Sequence, residues 1–209
     1  MAMTQDFART LLRASWWAIL LGLVLEGVQL AVIAASHGPA PVADAVIAES
    51  VQKMSWSTIV CVALACGTAA TRAGAGAIGV LGLFAAPAAF AIARALHKSA
   101  AQALSITVPA GGPSPWALAG VKALEYAVFG YLVTRLLRRP ELRLGAYART
   151  GALIGTLFGA ALLALMEQAA APDGLKPSML VARGLNELLF PIGCACVLWV
   201  TGALARAAT

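Results

Sequence analysis

Apolar residues run in six long blocks along the 209-residue chain, parted by short polar joints. The blocks do not alternate, and each is far longer than the ~10-residue strands of a membrane barrel. About 20 apolar residues in a helix span the hydrocarbon core of a bilayer. A helix also satisfies all of its own backbone hydrogen bonds there. The pattern therefore predicts an all-α, polytopic membrane bundle forming one domain over residues 1–209. The six transmembrane helices are expected near 15–35, 54–71, 74–93, 117–135, 146–166 and 180–204. The joints leave no room for a separate soluble domain. Only Thr71, Arg72 and Ala73 part the second block, which is short, from the third. A re-entrant hairpin over 54–93 is the competing reading for that pair.

Composition strengthens the membrane assignment. Hydrophobic residues make up 61% of the chain and charged residues 11%, against about 25% charged in an ordinary soluble domain. Mean hydropathy is +0.85. The first block follows Arg9 and Arg13, as a signal peptide's would, but it is too long, contains Glu26 and lacks a small-x-small cleavage site. It is expected to stay as the first helix.

Basic residues set orientation, because short cytoplasmic loops collect them. On a six-span layout one side holds Arg9, Arg13, Arg72, Arg135, Arg138, Arg139, Arg143, Arg149 and Arg206, and the other holds Lys53, Arg94, Lys98 and Lys176. This asymmetry predicts that both termini are cytoplasmic. The opposite loops also hold Asp44, Glu49, Glu167 and Asp173. The formal net charge of +6 then reads as topology signal beside anionic lipid, not as a nucleic-acid surface. The basic stretch Arg135–Arg149 is a candidate dock for a cytoplasmic partner. An Ala-rich, Arg-over-Lys composition suggests a GC-rich bacterium, and hence a multi-pass protein of the inner (plasma) membrane.

Small residues point to close packing. Gly151, Gly155 and Gly159 recur at four-residue spacing and form one stripe along the fifth helix. Such a stripe lets a neighbouring backbone approach, either within the chain or in a homo-oligomer or membrane partner. The third helix, with Gly74, Gly76, Gly79, Gly82 and a run of alanines, reads as a thin helix kinked by Pro87. Trp16, Trp17, Trp56 and Trp116 fall at predicted span ends, as interfacial anchors do. The mixed stretch 96–106 is expected to lie along the outer surface.

Ionisable residues inside apolar spans usually face a bundle interior or a cavity. Glu26, Glu125 and Glu187 qualify. Glu125 lies nine residues past Trp116, roughly 14 Å into its helix at 1.5 Å per residue. Glu187 lies ten residues past Pro177 and Glu26 eleven past Ser15, roughly 15 and 17 Å by the same rise. Three helices thus place carboxylates near the middle of a ~30 Å core. Lys122, Glu125, Tyr126 and Phe129 share a helix face, as do Arg183, Asn186, Glu187 and Phe190. Gly22, Glu26 and Gln29 share another. Pro191 cannot donate to the carbonyl of Glu187, which leaves a carboxylate and a free carbonyl on one residue. Hard cations favour such oxygens, and a proton site fits equally well.

The eight residues expected to bind a substrate or ion are therefore Glu26, Gln29, Lys122, Glu125, Tyr126, Arg183, Asn186 and Glu187. The bland alternative pairs Arg183 with Glu187 and Lys122 with Glu125 within their helices, with Glu26 and Gln29 as interhelical glue. Cys61, Cys66, Cys194 and Cys196 all fall inside spans, and their spacings put neither near pair on one face; they are expected to be small buried apolar residues. His37 and His97 could meet as a bis-His site but carry no ligand spacing, so no cofactor is expected. No phosphate-binding glycine motif, zinc-protease helix or nucleophile–base pair appears, so enzymatic activity is not expected. Two functions follow: transport or channelling of a small cation, proton or small solute, or a non-transport scaffold or accessory subunit of a membrane complex. An intramembrane enzyme or a lipid-handling protein is a third reading.

Overall fold

The computed structural model describes residues 2–36, 43–69, 74–106, 112–139, 143–171 and 174–206. These form six α-helices: α1 (Ala2–Ala35), α2 (Ala43–Ala69), α3 (Ala75–Ala103), α4 (Pro115–Leu137), α5 (Leu144–Ala169) and α6 (Pro177–Arg206). No strand occurs among the described residues. The all-α reading and the six helices match the expectation. α2 and α3 are separate helices of 27 and 29 residues.

Five helices are long and apolar enough to cross a membrane; α2 falls short. Its first half carries Asp44, Glu49, Gln52 and Lys53. The helix tolerates them because of its position: it packs against α1 and α3 and also touches α4 and α6. A helix screened from lipid on several sides need not be apolar all round. The helices also overrun the predicted spans. α2 begins at residue 43 rather than 54, and α3 runs on to Ala103, so 96–103 continues a spanning helix instead of forming a surface segment.

Each helix packs on its neighbours in chain order, and α1 meets α6 to close the ring. Consecutive helices run antiparallel. The Ser57 hydroxyl donates to the Ala18 carbonyl at 2.7 Å while Lys53 reaches Gln29, so α1 and α2 run in opposite directions. α2, α4 and α6 therefore run together, and they meet in the centre.

Glycine lets the backbones close up. A methyl on Gly82 would overlap the Tyr126 carbonyl, which fixes α3 against α4. The Gly151, Gly155 and Gly159 stripe is taken up within the chain. A methyl on Gly151 would stand 2.6 Å from the Pro191 carbonyl oxygen, and one on Gly155 2.8 Å from those of Glu187 and Leu188. The stripe thus seats α6, and that face of α5 is not open to a second subunit. Phe84, Leu153, Leu157 and Trp116 remain outward and exposed, as expected of side chains that meet lipid.

Candidate functional site

One end of the bundle holds a cavity of about 530 Å³. Its walls come from the last turns of α1, α3 and α5 and the first turns of α2, α4 and α6. The lining stops at Glu26, Trp56, Phe90, Lys122, Leu162 and Phe190. Beyond that level the bundle is filled by Val60, Cys61, Leu64, Phe129, Val133 and Cys194. The cavity is therefore open at one end only.

Its floor is aromatic. Trp56 of α2 meets Tyr126 of α4 edge-on, with ring centroids 5.6 Å apart and planes at 78°. Phe190 of α6 lies 5.9 Å from Trp56 and 6.2 Å from Tyr126. Aromatic pairs favour such tilted contacts at these separations. Trp56 is thus an interior residue, not the interfacial anchor expected of it. Below the floor the Cys61 and Cys194 sulfurs, from α2 and α6, stand 3.2 Å apart as free thiols.

Two lysines organise the layer above the floor. Lys122 donates to Glu125 on its own helix at 2.8 Å and to Glu187 on α6. Its ammonium also lies 5.7 Å from the Trp56 ring centre and 5.9 Å from that of Tyr126, within the range of cation–π attraction. Lys53 donates to both Glu26 and Gln29 of α1. The Gln29 amide in turn donates to the Ala182 carbonyl at 3.3 Å, so one side chain ties α1 to α2 and α6. A buried charge persists where it is paired and hydrogen-bonded, and each lysine meets that condition with two partners, those of Lys53 both on α1 and those of Lys122 on α4 and α6.

The expected residues thus fall into three groups. Glu26, Gln29, Lys122, Asn186, Glu187 and Arg183 all line the cavity. Glu125 sits behind Lys122, 1% exposed, and its Oε1 has no hydrogen-bond partner among the described residues. Tyr126 belongs to the floor, and its hydroxyl is likewise buried without a partner there.

The pairing departs from the sequence reading in two places. The Lys122–Glu125 pair forms within α4, but Arg183 does not reach Glu187; it donates to the Met166 sulfur at 3.4 Å. Glu187 belongs to Lys122 instead. The expected cation site on Glu187 is also divided. Its carboxylate goes to α4, while its proline-freed carbonyl lies against Gly155 of α5. Those two oxygens meet different neighbours.

Lys53 was missed because it was counted as a loop charge. Glu49, Lys53, Trp56 and Val60 fall four, three and four residues apart, one helical face. That spacing could have revealed an inward face on α2. At the mouth stand Arg94, Lys98 and His97 of α3, with the His97 ring 3.6 Å from the Glu49 carboxylate of α2. His37 lies outside the described residues, so the bis-His arrangement is not described. No group of three or more metal-ligating side chains occurs among the described residues. Comparison with protein-family models, curated proteins and solved structures found no match.

Proposed function

We propose that the chain is a membrane transport protein that takes a small solute from one side of the bilayer into this cavity. One observation carries the reading: the two lysine-held clusters face open space. Pairs serving only to join helices would be packed on all sides. Here Glu26, Lys53, Lys122 and Glu187 line a cavity of about 530 Å³, within the ~300–1,000 Å³ range of small-molecule sites. Charged residues inside a membrane bundle mark substrate pathways. The loop asymmetry in arginine supports a plasma-membrane protein with cytoplasmic termini, whose cavity opens outward. Passage to the other side then requires the floor of Trp56, Tyr126 and Phe190 to part, and Pro191, next to Phe190, supplies a weak point in α6.

A small solute fits better than a bare metal cation. The acid groups of the cavity already have basic partners, and Glu187 turns its two kinds of oxygen toward different helices. The scaffold reading loses its main support, because the glycine stripe seats α6. Its remaining support is the basic stretch Arg135–Arg149.

The test is flux. Protein in proteoliposomes is challenged with small carboxylates, phosphates, amino acids, amines and alkali salts, by labelled uptake and by charge movement on a supported membrane. Saturable flux is expected for at least one class, reduced at least about tenfold in Glu187→Gln, which removes the charge that holds Lys122, and in Asn186→Leu, which strips a hydrogen-bonding amide from the wall. Flux of none, or flux indifferent to both changes, contradicts the reading.

A further inference from the structure

We infer that the ligand of this cavity is an anion. The inference rests on the cavity being the working site and names the class of solute it takes. Its basis is a mismatch between acids and bases in one wall. Three acids line the cavity, and each has a basic partner: Glu26 has Lys53, Glu187 shares Lys122 with the Glu125 behind it, and Glu49 has His97, a charged partner when that ring is protonated. Three bases in the same wall, Arg94, Lys98 and Arg183, have no acidic partner among the described residues. A cation entering this space must displace a resident lysine from Glu26 or Glu187. An anion meets unpaired guanidinium and ammonium groups at the mouth and two further lysines at depth.

The placement of the free bases supports a bound ligand rather than a scattered surface charge. Arg94 and Lys98 lie one turn apart on α3, and Arg183 stands on α6. α3 and α6 do not touch, so an anionic ligand entering the cavity meets positive charge from two of its sides. Next along α6, Asn186 lines the wall and its side chain has no hydrogen-bond partner among the described residues, so its amide is available to a ligand oxygen. Arginine forks match carboxylate and phosphate oxygens in pairs. Leu30, Ile33, Val46, Leu118 and Met179 add apolar surface to the wall and suit a hydrocarbon body. The ligand class is therefore a carboxylate or phosphate on an apolar or short carbon frame. A free small anion and an anionic lipid headgroup share that chemistry.

The experiment uses the full chain in phosphatidylcholine nanodiscs, with thermal stabilisation as the readout. The probes are succinate, inorganic phosphate, phosphatidylglycerol built into the disc, and putrescine as the cationic control. Stabilisation by succinate or phosphate is expected for a free-anion site, and stabilisation by phosphatidylglycerol alone for a lipid site. Either must weaken at least about tenfold in apparent affinity in the Arg94→Gln, Arg183→Gln double variant. Asn186→Asp, nearly isosteric, must weaken it comparably by adding an unpaired negative charge to the wall. Lys176→Gln, off the cavity, must leave it unchanged. Stabilisation by putrescine alone, by no probe, or by phosphatidylglycerol equally in every variant overturns the inference. Anion binding without flux of any solute would sink the transport reading and leave this one standing; cation flux without anion binding would do the reverse.

Discussion

Lys122 of α4 bonds Glu187 of α6 directly above the contact between Tyr126 and Phe190 of the same two helices. Polar bond and aromatic floor are consecutive turns of one parallel interface. The arrangement makes the cavity's deep wall and its closure a single unit, so a change at Lys122 is felt at both.

Replacing Lys122 with Met leaves Glu125 and Glu187 without their shared cation in a low-dielectric interior. Stripping one member from a buried ion pair costs about 3–5 kcal/mol. The variant should unfold at correspondingly lower denaturant in detergent, while Lys122→Arg, which keeps the charge, should lose much less. A cost for Lys122→Met under about 1 kcal/mol, the range of an exposed pair, would mean that the cluster is solvated rather than buried.

Glycines of the bundle should divide by what their missing side chain would meet. At Gly155 a methyl would stand 2.8 Å from two α6 carbonyl oxygens, whereas at Gly120 it would meet nothing within 4 Å. Gly155→Ala should cost about 1–3 kcal/mol through forced separation of α5 and α6. Gly120→Ala should be neutral or stabilising by up to about 1 kcal/mol from helix propensity. Thermal unfolding of the two variants side by side checks this. Equal effects would place another surface against the α5 stripe.

The buried thiols report the centre of the bundle. Membrane-permeant iodine should join Cys61 to Cys194, whose sulfurs stand 3.2 Å apart, and peptide mass spectrometry should find that bond. A link between Cys66 and Cys196 in its place would contradict the parallel seating of α2 on α6.

Much of this architecture was legible in the sequence. Six apolar blocks gave six helices, and the depth estimate brought Glu26 and Glu187 to one cavity. The shared face of Lys122, Glu125, Tyr126 and Phe129 is buried as a unit. The partners of these residues were not legible. Helical spacing shows which side chains share a face but not which helix lies opposite. Lys122 therefore read as a partner for Glu125 alone, and Arg183 as the partner of Glu187. The Cys61–Cys194 approach spans 133 positions, and no local pattern encodes it. Lys53 was hidden for another reason: α2 starts eleven residues earlier than its apolar block, because its polar first half faces the cavity and not lipid.

On the proposed function, water and solute reach mid-membrane from one end of the bundle and stop at an aromatic floor. Sided cysteine labelling tests it most directly, in a background with Cys61, Cys66, Cys194 and Cys196 replaced by alanine. A cysteine at Asn186 should react with a membrane-impermeant methanethiosulfonate added on the cavity side and not from the other. A cysteine at Val133, below the floor and fully buried, should react from neither. Labelling of Val133→Cys from the cavity side, or of Asn186→Cys equally from both, would contradict the closed floor and the account built on it.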